Sequence, residues 1–90
     1  MKHAVVIQVK IDPDSDVAHR HAILNDYVIP NVKALPGFRS ASWMNNGVGT
    51  GMCIVVFDTE SCAKAAVTPL TPQDGPDVIS SGIYQVEIEV

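Results

Sequence analysis

Ninety residues and 9.6 kDa leave room for one domain, residues 1–90, and none for a separate cofactor-binding domain. Ten acidic against six basic residues give a formal net charge of −4 with no Lys/Arg cluster, which argues against nucleic acid and anionic membrane as partners. A hydrophobic content of 47% excludes disorder and exceeds what so small a fold needs on its own, so the surplus points to a second buried face, most simply a subunit interface.

Met1-Lys2-His3 runs into Ala4-Val5-Val6-Ile7 and is interrupted by Gln8, a pattern that fits no signal peptide. No stretch approaches the ~20 apolar residues of a membrane span. Cys53 and Cys62 form neither a disulfide framework nor a metal-ligand spacing, so the expected setting is the reducing cytoplasm.

Residues 4–11 place Val5, Ile7, Val9 and Ile11 at every second position, the signature of a strand with one apolar face. His3, at its start, is expected to be exposed. Asp12-Pro13-Asp14-Ser15-Asp16 supplies cap residues and negative charge for a helix N-terminus. Val17, Ala18, His21, Leu24 and Val28 follow helical spacing, and Pro30 predicts a kink or break before a short helical tail over 31–35. Pro36-Gly37 ends that element.

Residues 38–44 read as a second strand, with Phe38, Ser40, Ser42 and Met44 on one side and Arg39, Ala41 and Trp43 on the other. Asn45-Asn46-Gly47-Val48-Gly49 is hairpin chemistry, and 52–57 returns as a β-branched strand. Asp58 or Thr59 caps a second helix that runs to about Val67. Prolines and glycines predict a loop over 68–82, and alternation of Tyr84, Val86, Ile88 and Val90 predicts a last strand over 83–90. Pairing of the first and last strands would bring Lys10 to Glu87 or Glu89. The order β-α-β-β-α-β is the ferredoxin-like α+β plan: a four-stranded antiparallel sheet with two helices on one face. Its other face must be solvated, hold a ligand or meet a partner sheet, and the apolar strands favour the partner sheet.

VVIQVKIDPD, VIPNVKALPGF, the Trp-bearing strand, IVVFDTES, CAKAAV and the terminal EIEV resemble the dimeric α/β-barrel superfamily, and within it the antibiotic-biosynthesis-monooxygenase-like (ABM-like) branch. The similarity covers nearly the whole chain, and Leu35-Pro36-Gly37-Phe38 and Phe57-Asp58-Thr59-Glu60 are its structural anchors. The resemblance implies a homodimer whose open sheet faces meet as a barrel, and a range of activities from cofactor-free oxygenation of quinols and anthrones to none. Haem-degrading relatives use an Asn on the first strand, a Trp at the end of the third and a later His. Here those places hold Gln8 and Phe57, and no histidine follows His21, so haem degradation is set aside. The cofactor-free oxygenases gather an Asn, a Trp and a Tyr around a pocket, residue types that Asn45 or Asn46, Trp43 and Tyr84 could supply.

The expectation is therefore a small-molecule-binding dimer with a pocket between helices and sheet, acting without cofactor or metal on a small aromatic compound. His21 and Asn45 are the candidate catalytic residues. Trp43, Tyr84, Gln8 and Phe57 are the candidate substrate-binding residues. The alternative is a non-catalytic ligand-binding or structural dimer, in which Trp43 and Tyr84 are core or interface anchors and His21 a packed helix residue. Other readings fall away on spacing. His19 and His21 lie about 200° apart on a helix and cannot share a metal. Gly47-Val48-Gly49-Thr50-Gly51 leads into a strand, where a phosphate cradle needs a helix. Cys62, in a first helical turn, has no neighbouring histidine to make it a nucleophile. RNA-recognition modules and metal chaperones of the same plan need paired aromatics with basic residues, or two cysteines in the first loop, and this chain has neither.

Overall fold

The computed structural model describes residues 1–73 and 75–90. Asp74, inside the stretch expected to be a loop, lies outside the described residues. The elements run β1 (His3–Lys10), α1 (Val17–Ile23), a π-helical turn (Leu24–Val28), α2 (Ile29–Lys33), β2 (Phe38–Asn45), β3 (Thr50–Phe57), α3 (Glu60–Leu70) and β4 (Val78–Gln85). All strand pairs are antiparallel, in the order β2-β3-β1-β4, so the sheet is the ferredoxin-like one the sequence predicts.

The core lies on one face of the sheet. Val5 and Ile7 of β1 and Val55 and Phe57 of β3 are almost wholly buried there, under Val32 of α2 and Ala63 and Ala66 of α3. Period-2 alternation puts Ala4, Val6 and Gln8 on the opposite face, together with their β3 partners Val56, Ile54 and Met52. Among the described residues no helix covers that second face.

Local chemistry sets the element ends. Asp16 Oδ1 accepts from the Ala18 and His19 amides at 2.9 and 3.3 Å, and Thr59 Oγ1 accepts from the Cys62 amide at 3.1 Å. Asn46 Oδ1 accepts from the Val48 and Thr50 amides, holding the hairpin tip in its turn. Gly37 has φ +76°, a left-handed conformation in the turn that the Phe38 amide closes on the Leu35 carbonyl, and this turn swings the chain from the end of α2 into β2. A Cβ at that position would lie 2.7 Å from Cys62 Sγ.

Five expectations need correction. Pro30 does not break the first helix. The turn before it widens to π geometry, in which the Ile29 amide reaches the Leu24 carbonyl five residues back, and right-handed backbone continues through to α2. Pro69 likewise lies inside α3, which reaches Leu70 and closes when the Thr71 amide donates to the Val67 carbonyl. The last strand spans Val78–Gln85, not 83–90: Ile7, Gln8 and Val9 need partners, and Ser81, Ser80 and Val78 provide them. The same register carries Glu89 to the start of β1, where its carboxylate pairs with Lys2 at 2.6 Å and not with Lys10. Finally, His3 is buried, on the helix-bearing face beneath α3; its Nε2 lies 3.2 Å from Glu60 Oε2 and its Nδ1 3.0 Å from the Met1 carbonyl.

Candidate functional site

An open cavity of about 530 Å³ lies between the first helix, the continuous run from α1 through the π-helical turn to α2, and the β2 edge. His21, Leu24, Asn25, Ile29, Val32 and Lys33 line it from the helix, and Phe38, Ala41, Ser42 and Trp43 from the strand. His21, Asn25, Ile29 and Lys33 recur at every fourth position, the row along which helical side chains stack into one ridge.

The strand side depends on an irregularity. The β2–β3 register shifts between Phe38 and Ser40, so Phe38 opposes Phe57 while Ala41 and Trp43 oppose Val55 and Cys53. Arg39 is the extra residue of a bulge. It moves Phe38 onto the face of Ala41 and Trp43, where strict alternation had put it on the opposite side. Phe38 and Trp43 therefore both face the helix, and both pack against the core. The Trp43 indole offers an aromatic surface and one N–H donor.

Of the sequence-nominated residues, the structure brings His21 and Trp43 together in this cavity. The other four lie elsewhere. Phe57 is sealed in the core. Gln8 is on the open sheet face and accepts from Ser80 Oγ at 3.2 Å. Tyr84 shares that face, with its ring folded back over Gly82. Asn45 ends β2, and its Oδ1 accepts from the Gly47 amide at 2.8 Å. Asn25 and Lys33 were not nominated, although the four-residue row that starts at His21 runs through both of them.

Among the described residues the cavity carries no carboxylate: its polar lining is His21, Asn25, Lys33 and Ser42. Cys53, opposite Trp43, is a poor nucleophile near neutral pH, because burial pushes its thiol up against smaller opposing backbone hydrogen bonds at Ile7 and Cys53. A second, smaller cavity of about 190 Å³ lies under α3 between Leu35, Pro36, Ser61, Cys62, Ala65 and Ala66. Among these described residues the side-chain chemistry is one hydroxyl and one thiol. Among the described residues no group of three or more His, Cys, Asp or Glu side chains is placed to hold a metal, and no helix is long and apolar enough to cross a membrane.

No family model matches the sequence, and no curated protein matches it. Solved structures do match the fold. Rv0793 from Mycobacterium tuberculosis superposes with a TM-score of 0.61 at 19% identity, covering 99% of this chain and 98% of that one. A monooxygenase from the gene ActVA-Orf6 of Streptomyces coelicolor, solved in complex with the ligand nanaomycin D, gives 0.61 at 14% identity over 98% of this chain and 89% of that one. At such identities the likeness shows the fold alone, the ferredoxin-like α+β fold that the sequence predicts.

Proposed function

We propose that the protein binds a small aromatic compound in the cavity between the first helix and β2 and oxidises it with dioxygen, without cofactor or metal. The observation that carries this reading is the cavity itself: about 530 Å³, walled by Trp43, Phe38, Leu24 and Ile29, with the His21 imidazole in the same wall. That volume falls in the range of small-molecule sites, and an apolar lining with a few converging polar groups is what such sites need. The solved monooxygenase with its bound ligand shares the fold.

In this mechanism the ring of a quinol or anthrone lies against Trp43. The imidazole of His21 accepts a proton from the substrate, leaving an electron-rich anion. The anion transfers an electron to dioxygen, and the two radicals combine as a peroxide at the reacting carbon. For an anthrone, loss of water then leaves a ketone: one oxygen atom stays on the substrate, the other departs as water, and carbon is oxidised as dioxygen is reduced. Asn25 offers the amide that Asn45, committed to the hairpin, does not bring to the cavity.

A homodimer formed through the open sheet face belongs to the same reading. Val6, Met52, Ile54 and Val56 are half-buried there, and Met44 and Tyr84 are exposed. A partner sheet would bury them, and native mass spectrometry should give twice 9.6 kDa. The two thiols are free, as a reducing cytoplasm would keep them.

A non-catalytic binding module is favoured by one observation: among the described residues no carboxylate lines the cavity to orient His21. Oxygen uptake with an anthrone separates the two readings. Catalysis predicts uptake above the spontaneous rate, about a hundredfold lower in His21→Ala and lost with binding in Trp43→Ala. Tight binding with no added uptake leaves the binding module.

A further inference from the structure

The polar lining of the cavity has one sign. Among the described residues Lys33 and His21 are its titratable groups, and no Asp or Glu accompanies them, in a chain whose formal charge is −4. The four ion pairs among the described residues join Lys2 to Glu89, His3 to Glu60, Arg39 to Asp58 and Lys64 to Glu60, so none of them engages Lys33. Lys33 also sits in the last turn of α2, where a cation offsets the carbonyl end of the helix. That position accounts for a lysine near the helix end. It does not account for its place on the ridge that faces Trp43, four residues beyond Ile29 and twelve beyond His21.

We infer that the cavity selects an aromatic acid: its ring lies against Trp43 between Leu24, Ile29 and Phe38, and its carboxylate is held at the rim by the ammonium of Lys33. The inference rests on the proposed binding role of the cavity and adds the charge of what it takes. A long, flexible lysine stem suits an exposed rim, because it buries methylenes along the apolar wall while the charged head stays in water. An ammonium at such a rim is screened, so it contributes selectivity more than affinity. Asn25, on the same ridge, can donate from its amide to the second carboxylate oxygen.

The test uses two probes of equal shape, anthracene-9-carboxylate and anthracene-9-carboxamide, read by quenching of Trp43, the single tryptophan. In the full-length protein at low salt the acid should bind roughly threefold to fivefold tighter than the amide, the size expected of an exposed ion pair. The preference should shrink as salt rises. Lys33→Met, which keeps most of the stem, should bind both probes equally, with amide affinity unchanged. Lys33→Glu should prefer the amide, Lys33→Arg should restore the preference for the acid, and Lys10→Met should leave it intact. Equal binding of acid and amide by the unmodified protein overturns the charge selection and leaves the aromatic site standing. A preference that survives in Lys33→Met overturns the assignment to Lys33. Quenching by neither probe overturns the inference together with the binding role it rests on.

Discussion

Two helical walls cover one face of the same sheet, and they cover it differently. Alpha-helix α3 meets the sheet through Ala63 and Ala66, at 0% and 2% exposure. Side chains this small let the helix backbone approach the sheet closely. The first helix buries one residue fully, Val32, and presents the longer Leu24, Ile29 and Lys33 toward β2. These hold the helix off the strand, and the cavity is the space they keep. Closure by alanine builds the fold, and separation by branched and polar side chains builds the site.

The same substitution placed under each wall should therefore give opposite results. Ala63→Leu has no room and should cost about 3 kcal/mol in denaturant unfolding, the upper range for overpacking a core. Ala41→Leu points its extra atoms into the cavity, so stability should change by less than about 0.5 kcal/mol while quenching of Trp43 by anthracene probes is lost. Equal costs at the two sites would mean that the cavity wall is packed as tightly as α3.

Gly37 tests the seam between the walls, where the end of the first helix passes α3. Its φ of +76° disfavours any side chain, and the Cβ of Gly37→Ala would meet Cys62 Sγ at 2.7 Å. The expected cost is about 2 kcal/mol by the same measurement. Adding Cys62→Ala removes the sulfur but not the backbone strain, so the double variant should recover only part of the loss. Full recovery would show that the contact alone sets the cost.

Much of this architecture was legible in the sequence, because it rests on local chemistry. The alternation of Val5, Ile7 and Val9, the caps at Asp16 and Thr59, the Asn-Asn-Gly hairpin and the Pro-Gly stop each act within a few residues. What misled was pairing at a distance. Tyr84, Val86, Ile88 and Val90 alternate like a strand, yet the pairing with β1 ends at His3 opposite Gln85, and past it the Val86 amide donates to the Lys2 carbonyl. Ser80 and Ser81 read as loop residues and become strand because Gln8 and Ile7 lie opposite them. Pro30 signals a broken ladder, but not that an extra residue in the preceding turn can absorb the break. In the site, an aromatic on a strand and a histidine on a helix stripe pointed to Trp43 and His21. Asn25 and Lys33 resembled a solvated helix face, because only the position of β2 turns that ridge inward.

The smallest expected effect concerns the packed wall at its first turn, where Glu60 joins the buried His3 to Lys64. The hydrogen bond and charge of Lys64, with a further contribution from His3, hold the Glu60 carboxyl below the usual carboxylate range. Because the folded state favours the ionised form, the stabilisation is present at pH values above the ordinary glutamate range and is lost as pH falls through the lowered value. Glu60→Gln should therefore melt slightly below the unmodified protein from about pH 7 down to about pH 5, and the gap should close on further acidification. The carboxylate is solvent-exposed, so the gap should also narrow with added salt. A gap of constant size across the acid titration would mean that Glu60 acts on α3 through packing and hydrogen bonding alone, and that the alanine-packed wall owes nothing to charge.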